Sequence, residues 1–296
     1  MRRLAIIPFI ICLATACETD LDMDISHDTE PVMNAILYDG KTITVDLYGS
    51  TSYDSEDDMA SIAPATVALI VNDTLVETRY IDAGNTQASF DATVATGDSV
   101  TITANYGDDE TITAQTYIPE TVKILSFDTT TVINDTDTTL DLTIRLRDTA
   151  ARTDYYQVNI QCIATDSLGT ATTTYPDVDY SDYLFYMATS SYITTGSNTA
   201  GIFNDELING KTYDLEMSIT RSDIPIDDDA TTNITLSVSL RHITYDYYCS
   251  VRSLIAAQAY LLIPVFGTPT IYSNVEGGYG IVAGVGVDTI AININK

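Results

Sequence analysis

From residue 31 onward the chain reads as short runs in which apolar and polar residues alternate, broken by Gly, Asn and Asp. Period-two alternation marks a strand with one face buried. Between 31 and 119 it predicts seven strands, at 32–38, 42–48, 65–71, 74–81, 89–94, 100–106 and 111–117. Asp39-Gly40 and Asn72-Asp73 fall between consecutive runs, where two-residue hairpin turns need left-handed backbone. Gly97-Asp98 and Gly107-Asp108-Asp109 mark two more turns, and Pro119, which has no N–H for a ladder, closes the last strand. Seven short strands over about 90 residues describe an immunoglobulin-like or transthyretin-like sandwich.

The pattern resumes at 122–131, 140–147, 155–165, 213–220 and 234–240, with an irregular polar stretch at 166–182. Between 244 and 260 the period changes. Tyr247, Tyr248, Val251, Leu254, Ile255 and Ala259 recur near helical spacing, and Thr244 stands where a cap would. This is the one substantial helix that the pattern predicts. Residues 277–286 set glycines among Tyr279, Ile281, Val282 and Val285, a closing strand that packs tightly on something. The fold expected is all-β: two consecutive β-sandwiches, 31–120 and 121–296, with one main helix near 245–259 in the second.

Composition fits this picture and narrows the function. A chain of 296 residues suits two domains, and 45% hydrophobic content with 20 Tyr fills a sizeable core, which excludes a wholly disordered protein. The formal net charge of −29 repels phosphate backbones, so nucleic acid is not an expected partner. Only His27 and His242 are available for a histidine-based metal centre or a Ser-His-Asp triad. No Gly-rich phosphate loop opens a helix. The expectation is a non-enzymatic protein with no cofactor and no metal site.

The first residues form a targeting signal. Arg2 and Arg3 precede an apolar run at 4–13, followed by Ala14-Thr15-Ala16-Cys17. The run is shorter than the roughly 20 residues that span a bilayer, so 1–16 reads as a signal peptide. A small residue before a cysteine is the cleavage pattern of bacterial lipoproteins, which makes Cys17 the expected lipidation site; ordinary secretion is the alternative. Glu18, Asp20, Asp22, Asp24, Asp28 and Glu30 then form a self-repelling tether over 17–30. Asp20, Asp22 and Asp24 are spaced as in a calcium loop, but Ile25 and Pro31 stand where the loop needs Gly and Glu. Cys12 leaves with the signal. Cys162 and Cys249 remain, either as a disulfide or as buried small hydrophobes.

Other candidate sites are diffuse. Acidic clusters at 54–58, 107–110, 177–182 and 227–229 offer hard oxygens of the kind calcium takes, but solvated loops account for them more simply. His242, beside Arg241, reads as structural. Tyr175, Tyr180, Tyr183, Phe185, Tyr186 and Tyr192 cluster in the irregular stretch, as a surface for sugar or a partner protein or as a small core beneath a loop. Asp-Ser/Thr-apolar triplets at Asp73, Asp98, Asp148, Asp166 and Asp288 resemble bacterial O-glycosylation sites, and such triplets also arise by chance in a Thr- and Asp-rich chain.

The segment Tyr272-Ser273-Asn274-Val275-Glu276-Gly277-Gly278-Tyr279-Gly280-Ile281 resembles the C-terminal signature of the domain-of-unknown-function family 4249. Tyr247-Tyr248, Ser253-Leu254 and Pro269 agree in order with the same family. So do Gly97 through Tyr106 with Ala114 and Pro119, and Gly210-Lys211-Thr212-Tyr213. Val282 departs from it, where an aromatic residue is common. The resemblance implies a two-sandwich outer-membrane lipoprotein of Bacteroidota, often encoded beside a TonB-dependent receptor; it brings no catalytic or binding residues with it. The acids behind Cys17 also resemble the surface-export signal of such lipoproteins, which would put the globular part outside the cell. The function expected is a non-enzymatic binding or accessory subunit of a TonB-dependent nutrient transporter, held in outer-membrane lipid through Cys17. The alternative is a surface adhesin or structural envelope lipoprotein. The ligand is left open.

Overall fold

The computed structural model describes residues 29–294 except 53–58, 61, 63, 107–109, 134–137, 151, 190–198, 225–230 and 263–269. Cys17, the signal, most of the tether, Tyr192, and the acidic clusters at 54–58 and 227–229 lie outside the described residues, as does most of 107–110.

The first half forms β1 (Pro31–Tyr38), β2 (Thr42–Gly49), β3 (Ala65–Val71), β4 (Thr74–Ile81), β5 (Gln87–Thr93), β6 (Ser99–Asn105) and β7 (Thr111–Tyr117). These are the seven strands the alternation predicts. Alternate residues point inward, so Ile43, Val45 and Leu47 of β2 meet Val100, Ile102 and Ala104 of β6 in one core. Asn72 and Asp73 take the positive φ that the β3–β4 turn needs, +49° and +61°.

The second half contains β8 (Ile124–Ile133), β9 (Thr138–Arg147), β10 (Tyr155–Asp166), β11 (Ala171–Thr174), β12 (Val178–Asp179), α1 (Tyr183–Thr189), β13 (Ile202–Asn204), β14 (Thr212–Thr220), β15 (Thr231–Ile243), α2 (Tyr245–Leu262), β16 (Val275–Glu276) and β17 (Tyr279–Ile294). The protein is mostly β, and the described residues hold two α-helices. α2 is the helix expected from the period change. It packs Tyr248, Ile255 and Ala256 against the sheet, while Leu254 stays 44% exposed. The hydroxyl of Thr244 is buried without a partner, so it does not make the expected cap bond. α1 lies in the aromatic stretch and has no long apolar period to announce it. Asp182 starts it by accepting a hydrogen bond from the Leu184 N–H at 2.9 Å.

One large sheet runs through both halves, in the order β11-β10-β15-β17-β1-β2-β5, with β13 also on β10. A five-stranded sheet, β16-β7-β6-β3-β4, covers one end of it, and a four-stranded sheet, β12-β14-β9-β8, covers the other. The spine is β17. Its first half runs parallel to β1, from Val32 opposite Tyr279 to Tyr38 opposite Val285. Its second half runs antiparallel to β15, from Ile243 opposite Val285 to Ile234 opposite Ile294. The chain passes from one sandwich to the next after β7, near Pro119, and then returns. Val275 and Val282 are part of the first core, so that core is complete only with the last strands of the chain.

Two glycines make the seam tight. A Cβ at Gly284 would stand 1.9 Å from the Tyr117 carbonyl oxygen, and one at Gly280 would stand 2.1 Å from that of Met33. Gly280 also has φ +116°, which side chains rarely adopt. The glycine-rich run is therefore set by how closely β17 approaches β1 and β7.

Cys162 and Cys249 are both free, which removes the disulfide alternative. Cys162 is buried in the second core beside β15 and β11, and Cys249 faces a separate apolar cluster under α2. Each sits in its own packing layer, as small hydrophobes do.

Candidate functional site

The C-terminal segment that carries the sequence signature also builds a groove. It is a cavity of about 750 Å³ whose lining includes Val32 and Asn34 of β1, Tyr48 of β2, Leu254 of α2, and Ile271 and Tyr279. The floor is the start of the β1–β17 pair. One wall is α2, and residues 270–273 form the other. Local hydrogen bonds hold these walls in place. The Tyr272 N–H donates to Ser253 Oγ at 2.9 Å and its hydroxyl donates to Asp246 at 2.5 Å, tying 270–273 to α2. Burial and the neighbouring Asp246 push the Tyr272 phenol above its usual range, so it stays protonated as a donor.

Asn274 then clamps the next turn. Its side-chain amide donates to the Val282 carbonyl at 2.8 Å and accepts from the Val282 N–H at 2.9 Å, standing in for a strand partner. Asn34 works from the other side. Its amide donates to the Tyr48 hydroxyl at 2.6 Å, and its oxygen accepts from the Ile281 N–H at 2.9 Å. Burial first, and Asp46 second, raise the Tyr48 phenol, which is neutral at ordinary pH. Three apolar side chains at the groove remain exposed, Leu254 at 44%, Ile271 at 50% and Tyr279 at 55%.

A second cluster is buried at the joint between the sandwiches. Carboxylate oxygens of Asp148, Asp154 and Asp205 lie within 4.8 Å of one another. These are the residues that could hold a divalent cation. Protein donors already serve each of them. Asp148 accepts from the Tyr156 hydroxyl at 2.5 Å and the Gly210 N–H at 2.7 Å. Asp154 pairs with Arg152 at 2.7 Å and His242 Nε2 at 3.1 Å, and Asp205 accepts from Asn209 at 2.9 Å. Burial raises Asp154, but its hydrogen bonds from His242 and Arg152 outweigh that and hold it below the usual carboxylate range. Asp205 is pushed up by burial and by the other two acids. His242 Nδ1 lies 2.7 Å from the Glu120 carbonyl, so His242 ties the β7–β8 link to the second sandwich. His242, read from the sequence as structural, makes structural contacts here. Asp148 and Asp154 flank the β9–β10 connection and Asp205 follows β13, so no sequence cluster announced the three.

The aromatic stretch divides. Phe185 and Tyr180 pack together at 4.8 Å between ring centroids, and Phe185 meets Phe203 edge-on at 5.5 Å within the second core. Tyr175, Tyr183 and Tyr186 point outward, 71%, 58% and 61% exposed. The small-core alternative holds for Phe185 and Tyr180, whereas Tyr175, Tyr183 and Tyr186 lie on the surface. Of the acidic stretch at 177–182, Asp179 lies in β12 and Asp182 caps α1 and accepts from Tyr213 at 3.0 Å, which makes Asp182 a structural acid.

The fold and groove define a mostly β protein of joined sandwiches, with a ligand-sized recess at the seam. Its sequence matches the Domain of unknown function (DUF4249) family over residues 18–291, and the chain belongs to that family. No curated protein matches it. Among solved structures it is similar to a two-domain fibronectin type III segment from chicken tenascin, at 9% identity over 91% of this chain and 100% of that one, with a TM-score of 0.22. It is also similar to the apo structure of Bacteroides uniformis beta-glucuronidase 3, at 11% identity and a TM-score of 0.22, over 72% of this chain but 23% of that one. At these scores neither likeness bears on function.

Proposed function

We propose that the protein is a cell-surface lipoprotein that works by binding, as the non-enzymatic accessory subunit of a TonB-dependent outer-membrane nutrient transporter. The observation that carries the binding reading is the groove. The family's C-terminal signature builds it, and its volume of about 750 Å³ falls within the range of roughly 300–1,000 Å³ typical of small-molecule sites. Its polar lining includes Asn34, Tyr48 and Ser250, which orient a ligand but do not make a nucleophile–base pair. The lipoprotein reading rests on the basic, apolar, small-residue order ahead of Cys17, and on a family match that opens at residue 18. An acylated cysteine keeps the protein at the membrane, where a transporter is met at high effective concentration. The transporter itself is supported by the family resemblance alone.

Two experiments test this. Palmitate labelling of the wild type and of Cys17→Ala is expected to mark only the wild type; equal labelling removes the anchor. Capture of the acylated protein from mild detergent is expected to bring a TonB-dependent receptor with it. Recovery without one, where known receptor–lipoprotein pairs survive, removes the transporter role and favours an adhesin or envelope protein.

A further inference from the structure

We infer that the groove takes a neutral lipid-like molecule, one with an apolar body and a hydroxyl or ester oxygen on one edge. This rests on the reading of the protein as a binder and specifies what is bound.

Charge is the first argument. The chain has a formal net charge of −29, yet among the described residues no Asp, Glu, Lys, Arg or His lines the groove. A carboxylate or phosphate entering it would be repelled by the acidic surface and would find no cation among those lining residues. A cation would find no carboxylate among them to replace its water. The lining therefore selects against both signs.

Apolar exposure is the second. Leu254, Ile271 and Tyr279 keep large apolar surfaces open around one recess whose walls are joined by hydrogen bonds. An apolar body laid between them removes that surface from water.

The polar edge is the third. Asn34 spends its amide on the Tyr48 oxygen and its own oxygen on the Ile281 N–H. Tyr48 thus receives a hydrogen bond, stays neutral and lines the groove, so its own O–H can donate to an acceptor there. An ester or hydroxyl oxygen suits that donor. A sugar would bring more hydroxyls than the few polar groups of a mostly apolar lining can meet.

The test uses the full mature polypeptide carrying Cys17→Ser, which keeps the residues of the family match and removes only the acyl group. Nile red, a neutral dye, is expected to bind saturably at one per chain. Monolaurin is expected to displace it, with laurate about tenfold or more weaker at the same chain length. Leu254→Asp and Ile271→Asp change exposed side chains, and each should weaken the dye about tenfold or more without lowering the unfolding temperature. Leu168→Asp, at an 89% exposed position in the β10–β11 turn, should bind like the wild type. Equal displacement by laurate, unchanged binding in both groove variants, or no saturable binding would each overturn the inference. So would a native acylated protein that takes up the dye only after its acyl group is removed, because the groove would then belong to the protein's own anchor. Receptor capture is measured separately, so dye binding that persists without a receptor leaves this inference standing, and the reverse removes it alone.

Discussion

Replacing Gly284 by Ala adds one methyl group at the seam between the sandwiches. That carbon would stand 1.9 Å from the Tyr117 carbonyl oxygen, 2.8 Å from its carbonyl carbon and 3.1 Å from Ile118 Cα. Even a close carbon–oxygen contact needs about 3.3 Å, so β17 and β7 must separate by more than about 1 Å. The atoms in the way are all backbone, so no flexible side chain can yield. β7 is also fixed in its ladder with β6. The shift would stretch the bond from the Gly284 N–H to Thr116 Oγ1, now 3.1 Å. Overpacking costs roughly 1–3 kcal/mol, and a backbone-limited case belongs at the top, about 3 kcal/mol. At roughly 2–4 °C per kcal/mol for a chain of this size, thermal unfolding followed by circular dichroism should shift down by about 6–12 °C. Gly40→Ala is the control. It has φ +67° and nothing within 4 Å of an added carbon, so it should cost only about 1–2 kcal/mol. A Gly284→Ala protein that melts within about 2 °C of the wild type, or above Gly40→Ala, would refute the close approach. Because β17 is shared, one transition is expected; two would refute the shared spine.

Three further outcomes are expected. Asn274→Ala removes the clamp on both backbone groups of Val282, at about 2–3 kcal/mol from lost and unsatisfied hydrogen bonds, read by urea unfolding. Asp154 has a lowered folded pKa, so its stabilisation is present above the unfolded value near ~3.9 and is lost as pH falls through the lower folded value. Asp154→Asn should therefore cost about 3 kcal/mol at neutral pH, at the low end for a broken buried pair because Arg152 is part exposed, and should flatten the loss of stability below about pH 4. Alkylation of the denatured, unreduced Cys17→Ser polypeptide should label Cys162 and Cys249, and intact mass would show any bridge instead.

Strands, turns and the long helix were legible because each is decided within a few neighbouring residues. Alternation over 42–48 and 100–106 fixes which side chains face a core, and Asn72-Asp73 tolerates the positive φ of its turn wherever it is placed. α1 was hidden because its residues serve two surfaces, with Leu184 and Phe185 inward and Tyr183 and Tyr186 outward, so no single face appears in the spacing. The sequence by itself determined the longer strands, a helix near 245–259, and the need for glycine somewhere in 277–286, but not the short β11, β12, β13 and β16, two of which lie in the stretch read as irregular. Only the tertiary structure decided what those glycines are close to. It also decided that β17 belongs to both sandwiches, and that Asn34 and Asn274 meet the same strand from opposite ends of the chain. It alone brought Asp148, Asp154 and Asp205 together, and placed Leu254 beside Ile271. The physical reason is the same in each case. Periodicity records which residues leave water, whereas the partner across a sheet or a groove is set by contacts between distant segments, more than two hundred residues apart for Asn34 and Ile281.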